Sequence, residues 1–175
     1  MKEFRGHLRQ VDEVAQVVLK GHLIIESVLE NIITLGLYYP QYLQDARLSF
    51  YQKVHIAKAL CLRKNTVATW KLILAVNELR NAIAHSLSGE KRTTKMEQLR
   101  RLCSVDGILD FDSTPDRQVA EFACGVSTAF LAGGEADMKN LRAFVDAYDP
   151  PQKPSESEPL LELFKQTHTA PTGTP

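Results

Sequence analysis

Residues 70–85 read WKLILAVNELRNAIAH, and this stretch settles the fold class. Leu72, Val76, Leu79 and Ile83 recur at four-, three- and four-residue spacing, which lays one apolar stripe along an α-helix. Polar chemistry is concentrated at the end of the stretch, in Arg80-Asn81-Ala82-Ile83-Ala84-His85. At about 100° per residue, Arg80 falls at the edge of the stripe, and Asn77, Asn81, His85 and Glu78 follow around the adjoining sector. Asn81 and His85 share one surface, being a full turn apart. Arg80 and His85 stand roughly 140° apart around the axis by the same period. One straight helix cannot present both to a single small group. A second copy packed antiparallel across a two-fold axis brings the Arg and His of both copies around one cleft. The spacing therefore predicts a symmetric homodimer with these helices near the axis.

Upstream, an apolar helical repeat runs through Val11, Val14 or Ala15, Val18, Ile25, Val28 or Leu29, and Ile32. It predicts a first helix from near Gly6 to about Leu37, stopped by Tyr38-Tyr39-Pro40. Gly21 interrupts this helix and allows either a close crossing or a slight bend. Ser49 and Gln52 form a capping box for a second helix carrying Phe50, Val54, Ala57 and Cys61. Arg63-Lys64-Asn65-Thr66 is a turn leading into the central stretch.

Downstream, Gly89 reads as a helix stop. Thr94 and Glu97 read as a second capping box, opening a short helix through Cys103. Thr114-Pro115 starts a further helix with a buried stripe of Val119, Phe122, Ala123, Val126 and Phe130. Gly133-Gly134 reads as its end, with a last helix from Glu135 to Tyr148. No stretch alternates as a strand does. The expected organisation is an all-α domain over 1–149. A flexible tail follows over 150–175, where Pro, Ser, Glu and Thr predominate.

The 175 residues hold 44% hydrophobic residues, enough for a real core. Lys and Arg number 21, as do Asp and Glu. That balance counts against a dedicated nucleic-acid binder, whose footprint is strongly basic. The cysteines, Cys61, Cys103 and Cys124, are odd in number and each sits in helical pattern, as free thiols of a reducing cytoplasm do. The opening MKEFRGHLRQ is charged, and no run of about 18 uncharged apolar residues is present, so no membrane association is expected.

Arg80-Asn81-x-x-x-His85 near the end of an amphipathic helix resembles the signature of HEPN domains. The order of segments around it, with GHLIIESVLENII at 21–33, LSFYQKVHIAKALCL at 48–62 and KMEQLRRLC at 95–103, is similar to the mannitol operon repressor branch of that group. The resemblance covers roughly residues 15–105. It implies an antiparallel bundle of about five to six helices and, in many members, a metal-independent endoribonuclease active as a dimer.

In the scheme it implies, His85 deprotonates a ribose 2′-hydroxyl, which attacks the adjacent phosphate. Arg80 stabilises the charge gathering on the phosphate oxygens. Asn81 orients the His or holds an oxygen. No metal or cofactor enters this scheme, because the nucleophile is internal to the substrate. Glu26 and Asn77 are further candidates for substrate contact, Glu26 as a partner of Arg80 at the cleft. The branch equally implies a non-catalytic transcriptional regulator, or a toxin–antitoxin or defence component, working through a protein partner. Members silenced by tyrosine modification carry Tyr two positions after the motif His, where this chain has His85-Ser86-Leu87.

Bland readings stand beside these. Arg80 can lay its stem on the core edge, and His85 can cap carbonyls at its own helix end. Glu26 can be a solvated face residue, flanked by Lys20 and Glu30. His22 and His55 are isolated, with no arrangement that suggests a metal. Arg63-Lys64, Lys91-Arg92 and Arg100-Arg101 form either a basic rim for RNA or ordinary surface charge.

Overall fold

A computed structural model describes residues 12–62, 67–85, 89–104 and 111–148. Among the described residues there are five α-helices, one short 3-10 helix at Pro40–Ala46, and no strand. The α-helices are α1 (Glu13–Gly36), α2 (Phe50–Leu60), α3 (Val67–His85), α4 (Gly89–Cys103) and α5 (Asp116–Tyr148). Contacts divide the chain into two compact units, Met1–Arg142 and Ala143–Pro175. The first holds the core and the candidate site. In the second, Phe144 and Tyr148 are exposed, with ring centroids 4.7 Å apart. Residues 150–175, the expected tail, lie outside the described residues.

Helix α3 lies at the centre. It packs on α1, α2 and α4, and its Trp70 ring meets Phe130 of α5 edge-on at 5.2 Å. Leu72, Val76 and Leu79 are buried, as the stripe requires. Trp70, Ile73 and Ala75 are buried too, because neighbours surround the helix on more than one side. Fully buried Ile25, Leu29, Ile73 and Leu79 each contribute about 1.5–3 kcal/mol.

Helices α1 and α5 run side by side in the same direction. Glu13 pairs with Arg117 and Asn31 with Glu135, at a constant offset of 104 residues. Between them Gly21 lies against Cys124, so close that a Cβ there would come within 2.4 Å of its sulfur. Of the two roles Gly21 can have, the close crossing is the one it plays.

Several local boundaries differ from the expected ones. Helix α1 starts at Glu13, because the Asp12 side chain accepts from the Ala15 amide at 2.9 Å and caps it there. The expected start at Gly6 lies outside the described residues. The Ser49–Gln52 capping box of α2 is present, with both side chains engaged. Helix α4 begins at Gly89, so that glycine opens a helix instead of ending one.

The box expected at Thr94 and Glu97 is not formed. The Thr93 and Thr94 hydroxyls donate to the Gly89 and Glu90 carbonyls at 3.0 Å, as threonines inside a helix do. Gly133-Gly134 does not end α5. Glycines in a helix interior cost about 1 kcal/mol each, and burial of Leu131 and Met138 on either side outweighs that. Arg100 fastens the start of α5, donating to the Phe111 and Thr114 carbonyls and to Asp116 Oδ1, the last at 2.6 Å.

Candidate functional site

The C-terminal half of α3 runs antiparallel to the N-terminal half of α4, and the seam between them opens as a groove of about 550 Å³. Glu78, Asn81, Ala82 and His85 line it from α3, and Glu90, Lys91, Thr94 and Lys95 line it from α4. A second hollow of about 740 Å³ continues along the same seam. It shares Glu78 and Thr94 with the first and extends to Lys71 and Arg101. Asn81 and His85 are exposed in the groove, one turn apart.

Arg80 is half-buried on the neighbouring sector. Its Nη1 donates to Asn81 Oδ1 at 3.1 Å, so the guanidinium stands beside a residue that lines the groove without lining it itself. Within a single copy Arg80 is thus bonded to Asn81, and Asn81 and His85 line the same groove. Each can hold an anionic oxygen: Arg80 as a planar cation, Asn81 and His85 through their N–H groups.

Asn77 and Glu26 belong to a different cluster, behind the groove. Asn77 Oδ1 is 3.0 Å from His22 Nε2 on α1. Glu26, one turn along from His22, lies 3.8 Å from its Nδ1. The cation on Glu26 is Lys53 of α2, at 2.6 Å, and Lys53 holds Glu30 at the same distance. His22 is 5% exposed and stacks on Phe50 with centroids 4.3 Å apart.

His22 is the residue that the sequence reading left isolated. Its spacing with Glu26 was a legible signal. Its contacts with Asn77 and Phe50 were not, since they join distant helices. Burial holds the His22 imidazole below its ordinary value of 6.5, and the charges of Arg80 and Lys53 add to this. The Asn77 hydrogen bond and Glu26 work the other way without overcoming burial. For Lys53, burial works to lower the ammonium, but the hydrogen bonds to Glu26 and Glu30 outweigh it and hold it above its ordinary value.

This depression has a measurable consequence. Between the folded and unfolded values of His22 the unfolded chain binds more protons, so folding weakens as pH falls. The stability contributed by neutral His22 is complete above 6.5 and is lost as pH drops toward the depressed folded value. Thermal melts across this window should show a fall in Tm for the wild type and a flatter profile for His22→Gln.

The basic residues that bracket α3 are largely engaged in internal pairs. Arg92 grips both oxygens of Asp12, with one contact at 2.8 Å. Lys95 binds Glu78 at 2.7 Å, Arg101 faces Glu97 at 3.6 Å, and Arg100 is turned onto carbonyls. Lys91 stands exposed at the groove. Arg63 and Lys64 lie outside the described residues. Cys61, Cys103 and Cys124 are free, and burial pushes the Cys103 and Cys124 thiols up to about 11, so neither is a ready nucleophile. Among the described residues no three His, Cys, Asp or Glu side chains converge as metal ligands, and no helix is long and apolar enough to cross a membrane.

Comparison with protein-family models, with curated proteins and with solved structures returns no match.

Proposed function

We propose that this chain is a homodimeric, metal-independent endoribonuclease of the HEPN type, cleaving RNA at Arg80 and His85. The observation that carries the reading is the arrangement at the groove: His85 and Asn81 exposed in it one turn apart, with the Arg80 guanidinium bonded to Asn81. In the reaction, His85 takes the proton of a ribose 2′-hydroxyl, and the freed oxygen attacks the neighbouring phosphorus. The 5′-oxygen of the next nucleotide leaves and takes a proton from water, to which His85 returns its own, and a 2′,3′-cyclic phosphate remains. Arg80 meets the negative charge on the phosphate oxygens, and Asn81 holds the Arg in place. The continued seam toward Lys71 and Arg101 offers a path for flanking nucleotides. Wild-type protein incubated with mixed RNA in EDTA should yield fragments with 2′,3′-cyclic phosphate ends, and uncut RNA would refute the proposal.

Exposed apolar side chains on α1 support the dimer. Leu19 and Leu23 are 39% and 65% exposed and one turn apart, so they share one surface of α1. Ile24 adds a further exposed aliphatic side chain. A second copy docked here would cover this surface and bring the two Arg80 side chains toward one axis. Sedimentation equilibrium at micromolar concentration should give twice 19.6 kDa. Leu23→Glu should shift the protein to monomer, and a wild-type monomer would exclude the arrangement.

A second reading is favoured by the internal pairing of Arg92, Lys95 and Arg100, which leaves few cations for a phosphate backbone. On that reading the chain is a non-catalytic regulator, or a toxin–antitoxin or defence component, that binds a protein partner. The same RNA assay separates the two.

A further inference from the structure

We infer that the hollow between the end of α1, the 3-10 helix and the start of α2 is a binding site for a small monocarboxylate with an apolar body, held at its rim by Arg47. Its lining shares no residue with the groove between α3 and α4, and the two sites are independent.

The hollow originates in a chain reversal. Helix α1 ends at Gly36, Pro40 opens the 3-10 helix, and Ser49 caps α2. Arg47 follows the 3-10 helix with φ 44° and ψ 50°, which turns the chain toward the Ser49 cap. Among the described residues it is the one non-glycine residue with positive φ. Glycine adopts that backbone freely, whereas a residue with a Cβ is strained there. What arginine supplies at this position and glycine cannot is the guanidinium.

That side chain lines a hollow of about 340 Å³, whose apolar wall is Ile33, Leu37, Pro40, Leu43 and Leu48. Ile33 is buried and the other four are half-buried, so apolar surface remains for a ligand to cover. Glu30 and Lys53 also line the hollow, but they hold each other at 2.6 Å, and Lys53 is gripped by Glu26 as well. Arg47 is exposed, and no side chain among the described residues bonds to it. The hollow thus presents one uncommitted cation beside apolar surface.

These groups define the occupant. One guanidinium matches one carboxylate, whose two oxygens accept from its planar fork. A phosphomonoester dianion would leave a charge unmatched near Glu30, and an ammonium would compete with Lys53 for that carboxylate. The wall calls for an aliphatic or aromatic body. The volume lies at the low end of ligand pockets, which span about 300–1,000 Å³, so this body is a short chain or a single ring.

The probe is phenylacetate, titrated calorimetrically into the full chain. A Kd below about 1 mM is expected, with shifts of the Leu43 and Leu48 methyl resonances and a Tm that rises with probe concentration. Phenylacetamide keeps the ring and lacks the charge, and acetate keeps the charge and lacks the ring. Each should bind roughly tenfold or more weakly. Arg47→Gly suits the backbone, so it should melt no lower than wild type while losing the same factor for phenylacetate. Arg47→Lys, which keeps the charge without the fork, should fall between the two.

No binding at about 1 mM phenylacetate, equal binding of phenylacetamide or acetate, or full affinity in Arg47→Gly each overturns the inference. An Arg47→Gly protein that melts well below wild type overturns it too, because Arg47 would then serve the turn and not a ligand.

Discussion

Arg80→Ala and His85→Ala should each lower EDTA-resistant RNA cleavage by roughly 10²–10³-fold or more, with little change in thermal stability. A donor aimed at developing oxyanion charge is worth about that factor, and a positioned general base about 10²–10⁴-fold. His85 is exposed and Arg80 half-buried with one side-chain hydrogen bond, so truncation of either should destabilise by no more than about 1 kcal/mol. The double variant should be no slower than the worse single, because groups serving one transition state do not add.

Asn81→Ala should fall between wild type and Arg80→Ala, since it releases the guanidinium without removing it. Cleavage that survives both Arg80→Ala and His85→Ala would mean a contaminating nuclease. Variants that cut nothing alongside a wild type that also cuts nothing, but that lower Tm or loosen the dimer, would make Arg80 and His85 structural.

The largest stability effect outside the aliphatic core should come from a small residue. Gly21→Ala places a Cβ 2.4 Å from Cys124 Sγ and 2.8 Å from Cys124 Cβ. The second of these is fixed to the backbone of α5, so the two helices must separate. Alanine in a helix gains about 1 kcal/mol over glycine, whereas overpacking typically costs about 1–3 kcal/mol, so the net effect is destabilising. Gly21→Val, with two more carbons at the crossing, should cost more.

At about 2–4 °C per kcal/mol for a chain of this size, thermal melts resolve these changes. Cys124→Gly should restore the Gly21→Ala variant, because it removes both clashing atoms. Cys124→Ala should restore it only in part, since the Cβ contact stays. A rise in Tm for Gly21→Ala alone would show that the helices do not cross here.

The residues that the sequence could place by itself are those governed by their immediate neighbours. The stripe of Leu72, Val76 and Leu79 dictates a helix whatever packs on it, and the Ser49–Gln52 box forms between residues three apart. Asn81 and His85 share the groove because α-helical geometry puts them there. Local signals misled at Gly89, at Thr94 and at Gly133-Gly134, where burial of Leu131 and Met138 outweighs a cost of about 1 kcal/mol per glycine.

Three features depended on the tertiary fold. Gly21 allowed a bend or a crossing, and only the parallel packing of α1 against α5 selected the crossing. Glu26 had Arg80 or solvent as its candidate surroundings, and packing gave it Lys53. His22 looked isolated because its hydrogen-bond partner is 55 residues away. Whether a buried imidazole is satisfied depends on which helix face is brought against it, and a periodic pattern carries no information about that face.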